Sequence, residues 1–148
     1  MKISASGEYA VRILVDIASG SSYVSLNDVA ERENISLKYS EKIVSKLLKN
    51  NLLESQRGQG GGYKLAKKPE QTTIKEILLA TGDITPVIPC LETDCPHKNS
   101  CKSISVWERL DGLINDYLGK VSIAELMKWP KIMVIFFAKS NFNIKCNK

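Results

Sequence analysis

Apolar residues fall at positions 10, 11, 13, 14, 17 and 18, and this spacing predicts a helix over residues 7–19 with one buried face. The stretch "SLNDVAERENI" starts with Ser25 as an N-cap and has Asp28 three residues on, so a second, short helix follows. The pattern restarts at Ser36 in "ISLKYSEKIVSKLLKNNLL", where Tyr39, Ile43, Val44, Leu47 and Leu48 predict a third helix packed on the first two. Asn50 and Asn51 suit its end, because asparagine tolerates the left-handed cap.

Two short extended runs come next in "LLESQRGQGGGYKLAKK", joined by a tip that holds Gly58, Gly60, Gly61 and Gly62. Glycines at this density permit positive φ and close backbone approach, which is the chemistry of a hairpin. The order helix, helix, helix, hairpin predicts a winged helix-turn-helix: a mainly α fold with a small β-wing. Thr73 and Glu76 then form the sequence of a capping box for a fourth helix.

No period survives over residues 82–100, and Pro86, Pro89 and Pro96 would break one. A structureless loop of this length in a small domain is disordered or functional, and its cysteines favour function. Beyond it Ile104, Trp107, Leu110, Leu113, Ile114, Tyr117, Leu118 and Val121 form a wide apolar stripe on a long helix. Little chain remains to cover that stripe, so a partner subunit is expected there; an intramolecular core helix is the plainer alternative. Ser122 caps a further turn, and an apolar-aromatic run, "IMVIFFA", precedes a Lys/Asn-rich end. This reading divides the chain into a winged helix-turn-helix module (1–80), a cysteine-bearing loop (81–102), a dimerisation helix with its following turn (103–128) and a tail of unassigned role (129–148).

At 148 residues, 43% apolar and 25% charged, the chain is sized and composed for one folded domain with appendages. Its longest apolar run falls far short of the roughly 18 to 20 residues that a membrane span needs. Glu8 and Arg12 interrupt the place where a signal peptide has its apolar stretch, so the cytoplasm is the expected compartment. There, clustered cysteines bind metal or sense redox more often than they form disulfides.

Net charge is +5, unevenly spread. Residues 36–68 carry eight bases against two acids, whereas residues 81–129 carry five against seven. A basic segment beside an acidic one suits a polyanion partner; a solvated lysine-rich face is the bland alternative. In a helix-turn-helix the second helix of the motif enters the major groove with its N-terminal residues toward base edges. That assigns Ser36, Lys38, Tyr39, Ser40 and Lys42 to the groove or its walls, and Lys46 and Lys49 to phosphate. Arg57 with Gly58, Gly60 and Gly61 at the wing tip brings a cation and bare backbone toward the minor groove and phosphates.

The unbroken order "ISLKYSEKIVSKLLKNNLLESQRGQGGGYKLA", together with "MKISASGEYAVRILVDIA" and the cysteine loop, resembles the Rrf-two family of bacterial winged-helix transcription regulators, with its IscR, NsrR and CymR types. The likeness runs from residue 1 to about residue 128. It implies a homodimer on a pseudo-palindromic double-stranded DNA operator, with the helix over residues 103–120 crossing to the partner.

Cys90, Cys95 and Cys101 are spaced C-x4-C-x5-C. Three soft thiolates suit zinc, copper(I) or an iron-sulfur cluster, and His97, the chain's one histidine, would complete a Cys3His zinc site. Structural zinc favours tighter cysteine pairs, and metal-free thiols are a further alternative. The family resemblance implies a 2Fe-2S or 4Fe-4S cluster, because its IscR-like and NsrR-like members carry three cysteines in this loop.

IscR-like members also have a histidine three residues after the third cysteine, and here Ile104 stands in that position. His97 and Glu8 are the candidate substitutes, Glu8 matching the place where NsrR-like members use an acidic residue from the other subunit. A carboxylate there also complements the helix dipole without any metal. Cys146 reads as a free thiol of the tail. The expected function is a transcriptional regulator, a repressor in sense, that responds to iron-sulfur status, nitric oxide or redox stress. A cluster-free CymR-like regulator acting through thiols or a protein partner is the alternative. An enzyme is not expected, since the single histidine has no evident orienting carboxylate.

Overall fold

The computed structural model describes residues 2–129. Helix α1 spans Ala5–Ala18, capped by the Ser4 hydroxyl accepting from the Gly7 N–H. It starts two residues earlier than the apolar period predicts, because the capping serine and not the first apolar residue sets the start. Ala10, Ile13, Leu14 and Ile17 line its buried face.

Helix α2 (Leu26–Arg32) and helix α3 (Leu37–Lys49) form the helix-turn-helix pair, with Ser25 and Ser36 as N-caps in extended backbone. Neither serine side chain makes a capping hydrogen bond. Asn34 and Asn51, each with φ 54, follow the ends of the two helices. The residue after each turns back into its helix: the Ile35 N–H donates to the Ala30 carbonyl at 2.9 Å and the Leu52 N–H to Leu47 at 3.0 Å. Ile35 and Leu52 are buried. A left-handed asparagine followed by an apolar residue thus stops both helices and fastens the chain to the core.

Strands β1 (Leu53–Gln56) and β2 (Gly62–Leu65) pair antiparallel, with Leu53 opposite Leu65 and Gln56 opposite Gly62. Tyr63 also exchanges both backbone hydrogen bonds with Val24, 2.8 and 2.9 Å, which pins the wing to the α1–α2 connection. Gly62 lies against the Val24 carbonyl, where a Cβ would collide. Helix α4 (Ile74–Thr81) opens with both halves of the Thr73–Glu76 capping box and closes on left-handed Gly82. Ile13, Leu14, Val29, Ile43, Val44, Leu47, Ile77 and Ile123 meet in one core beneath the motif.

The loop beyond α4 carries two single 3-10 turns, Pro89–Leu91 and Lys98–Ser100. Helix α5 (Ile104–Lys120) then runs for 17 residues without burying one. The wide stripe read from the sequence splits in two. Ile104, Trp107, Ile114 and Leu118 are half-buried and Val121 is buried, while Leu110, Leu113 and Tyr117 stand exposed, joined by Val106 from outside the predicted stripe. Helix α6 (Ile123–Lys128), capped by Ser122, returns Ile123 and Ala124 to the core against α1. The apolar-aromatic run of the tail and Cys146 lie outside the described residues.

Candidate nucleic-acid interface and cysteine loop

The N-terminus of α3 presents Ser36, Lys38, Tyr39 and Lys42 around a shallow recess of about 220 Å³. Ser36, Lys38 and Lys42 are exposed and Tyr39 is half-buried. Free N–H groups and the positive dipole end of a 13-residue helix meet two lysines here, an arrangement that favours an anion. At the wing tip Arg57 is exposed, Gly58 and Gly60 take φ of 99 and 74, and the Gly61 N–H closes the turn on the Gly58 carbonyl at 3.0 Å.

Pairing sharpens this charge distribution. Arg12 bonds Glu33 at 2.8 Å, Arg32 bonds Asp16 at 2.6 Å, Lys64 meets Glu54 at 3.3 Å and Lys67 meets Glu76 at 2.9 Å. Lys38, Lys42, Lys49, Arg57 and Lys68 pair with no carboxylate among the described residues. Within residues 36–68, the bases left without a carboxylate partner therefore lie along α3 and around the wing.

One expected contact needs correction. Ser40 is fully buried and its hydroxyl donates to the Ser36 carbonyl at 3.2 Å, so it packs α3 onto the core and does not face a groove. Lys46 is exposed, but its Nζ donates to the Thr81 carbonyl at 3.2 Å. Its cation thus lies over the C-terminal end of α4, where the dipole favours it.

The structure also brings together residues that the sequence does not connect. Arg12 bonds both the carboxylate and the backbone carbonyl of Glu33, the latter at 2.7 Å, and sits 5.2 Å from the centre of the Tyr9 ring. Tyr9 in turn meets Tyr39 edge to face at 5.9 Å. Glu8, exposed in the first turn of α1, pairs with Arg12 at 3.6 Å. The Glu8–Arg12 spacing of four residues is visible in the sequence; the contacts to Glu33 and Tyr39 are tertiary and leave no local signal.

Cys90, Cys95 and Cys101 are half-buried free thiols, and His97 is exposed as the cap of the second 3-10 turn. The Cys101 Sγ lies 3.4 Å from the Ser103 Oγ. Hydrogen bonding to that hydroxyl, and then to the Ser103 and Ile104 amides, holds the Cys101 thiol below its usual pKa and favours the thiolate. Soft, uncommitted sulfur of this kind is a chemically suitable donor set for iron or zinc. Among the described residues, however, no three His, Cys, Asp or Glu side chains are gathered closely enough to hold one metal ion. The chain on its own therefore does not bring the three cysteines together with either Glu8 or His97.

The root of the loop is firmly built. Asp83 is buried, and its carboxylate accepts from the Ser4 N–H at 2.9 Å and the Thr81 hydroxyl at 2.5 Å. Burial works to raise its pKa, but hydrogen bonds from Thr81 and Ser4 and the charge of Lys46 outweigh it and hold the carboxyl below its ordinary value. A depressed folded pKa contributes stability above the unfolded value of about 4, and that contribution is lost as pH falls through the folded pKa. The acid limb of a stability-against-pH curve is therefore expected to flatten in Asp83→Asn, as read by urea denaturation between about pH 5 and pH 2. An unchanged limb would remove Asp83 from the set of acid-sensitive groups.

Comparisons with known proteins agree with this geometry. IscR of Vibrio campbellii is 35% identical over 138 residues, covering 91% of this chain and 82% of the relative. The solved structure of CymR, the global cysteine regulator of B. subtilis, superposes with a TM-score of 0.75 at 28% identity, covering 88% of this chain and 99% of that one. The structure of T. potens IscR gives 0.65 at 27% identity, with 98% and 94% covered. Among the described residues no helix is long and apolar enough to cross a membrane. The Rrf2 family model, described as an iron-dependent transcriptional regulator, matches residues 3–129. With its winged helix-turn-helix, its exposed basic reading face and this match over most of its length, the chain belongs to the Rrf2 family of transcriptional regulators.

Proposed function

We propose that the protein is a cytoplasmic homodimeric repressor that reads a pseudo-palindromic DNA operator and whose affinity is set by an iron-sulfur cluster. Within each protomer, Ser36, Lys38 and Lys42 meet the major groove or its walls, and Arg57 with Gly58, Gly60 and Gly61 meets the backbone beside the minor groove. Tyr39 contributes its exposed edge while its ring stays packed on Tyr9. Cys90, Cys95 and Cys101 would hold the cluster, with Glu8 of the second subunit or His97 supplying the remaining ligand.

One observation carries this reading: three uncommitted thiols sit on a loop tied at its root to α1 and α4, and by its Val87 N–H to Asp111 of α5 at 3.0 Å. A ligand that draws the thiols together reshapes the loop between those anchors and the start of α5. The cluster itself supplies a centre whose assembly and loss respond to iron, oxidants and nitric oxide. The chain supplies the rest, because Glu8 already holds Arg12, and Arg12 lies on Tyr9 against Tyr39 of the reading helix. Switching requires that the loop states differ in their preference for the two arrangements of the reading heads.

Purification without oxygen is expected to yield brown protein with iron and sulfide, and Cys95→Ala is expected to be colourless yet folded. Iron retained by Cys95→Ala would refute the ligand set. A colourless wild type with full operator binding would instead favour a cluster-free regulator, a reading supported by the likeness to CymR.

A further inference from the structure

We infer that Asp83 is the latch through which the cysteine loop acts on the DNA-reading helix. It is the first residue after the left-handed cap Gly82, and the residue is only 6% exposed. One carboxylate oxygen accepts from the Ser4 N–H, which begins α1, and the other accepts from the Thr81 hydroxyl, which ends α4. Its own N–H donates to the Leu78 carbonyl at 2.8 Å. Gly7 packs so closely that a Cβ there would meet the Asp83 carboxylate. The carbonyl of Thr81 receives Lys46 from α3 at 3.2 Å. Three helices of the reading module thus converge on the root of the loop.

Four residues on, the loop is fastened to a different body. The Val87 N–H donates to Asp111 Oδ1 at 3.0 Å, and Asp111 Oδ2 accepts from Asn115 at 3.0 Å, one turn along α5. The strap of residues 83–87 therefore joins the reading module to α5 with a hydrogen-bonded aspartate at each end. Five residues reach at most about 17 Å when fully extended, which limits how far the two anchors can move apart. A displacement of the loop on the α5 side must be absorbed at Asp83, where it shifts the start of α1 and the Thr81–Lys46 contact together. Asp83 is a positioning residue and touches neither DNA nor a loop ligand.

This inference rests on the proposed loop control only for its input, and a double-mutant cycle with hydrogen exchange separates the two. The duplex is one selected by the protein from a random oligonucleotide pool, and the loop is perturbed by the combined substitutions Cys90→Ser, Cys95→Ser and Cys101→Ser. In oxygen-free preparations the loop variant is expected to change operator Kd by about fivefold or more in the wild-type background, and by less than about twofold with Asp83→Asn. The same attenuation is expected with Thr81→Val, which removes one hydroxyl and retains the carbonyl that holds Lys46. An undiminished loop effect in both variants overturns the latch.

Should the loop variant leave wild-type Kd unchanged, loop control fails, and amide exchange alone then decides on Asp83. Exchange in Asp83→Asn is expected to accelerate about tenfold both at residues 5–8 and at residues 46–50. Acceleration confined to residues 81–83 overturns the inference.

Discussion

Placing charge on the exposed face of α5, as in Leu113→Glu combined with Tyr117→Glu, is expected to yield a folded monomer that binds its operator about a hundredfold or more weakly than wild type. Val106, Leu110, Leu113 and Tyr117 are 59, 38, 60 and 59% exposed and recur at intervals of four, three and four residues, so they form one straight stripe. Nothing among the described residues covers this stripe, and in the proposed dimer it is the surface on which a second copy would pack. Burying a large apolar side chain is worth about 1.5–3 kcal/mol, whereas a carboxylate brought into the same interface loses its water without gaining a partner.

The effect on DNA follows from linkage of the two reading heads. A dimer engages its second half-site at a high effective concentration, and a monomer must bind each half-site alone. Sedimentation at micromolar protein, circular dichroism and an operator titration together decide the matter. Because both side chains are exposed in the single chain, the substitutions should leave the protomer folded. A variant that remains dimeric, or a monomer with wild-type affinity, would show that this stripe does not join the heads.

Local rules made much of this fold legible. Both stops of the helix-turn-helix carry asparagine before an apolar residue: "NNLL" signals the second, at Asn51, and the same signal stands in "ENI" at Asn34. The capping box at Thr73 and the serine cap at Ser122 are local chemistry, and both are present. Ser40 shows where such reading misleads. Its position shares the spacing of Ile43, Val44 and Leu47, so geometry puts it on the core face, but its polarity suggests a groove. Because its hydroxyl is satisfied one turn back by the Ser36 carbonyl, burial leaves no unpaired polar group.

Lys46 and Asp83 were illegible for a different reason. The Lys46 contact to Thr81 spans 35 residues and the Asp83 contact to Ser4 spans 79, and no periodicity encodes a contact of that span. The sites of uncompensated charge were likewise fixed only by the fold, which neutralises Lys64 and Lys67 with Glu54 and Glu76 and leaves Lys42 and Arg57 free.

That selective neutralisation underlies the second large effect. Lys42→Ala and Arg57→Ala together are expected to weaken operator binding on the order of a hundredfold near 0.15 M salt, with a shallower dependence of affinity on salt. Each phosphate contact removed lowers the slope of log K against log salt by about 0.9, and a two-fold dimer loses each contact twice. Each substitution should therefore reduce the slope by about 1.8 and the pair by about 3.6. Neither side chain has a carboxylate partner among the described residues, so its removal leaves no orphaned acid in the protein and the loss is electrostatic at the DNA. Lys64→Ala is the internal control: its ammonium is held by Glu54 and by Tyr23, so the slope should change little. If affinity fell while the slope stayed constant, Lys42 and Arg57 would be reading base edges, and the loss would then vary with operator sequence. If neither quantity moved, the face built from the start of α3 and the wing tip would not be the surface that meets DNA.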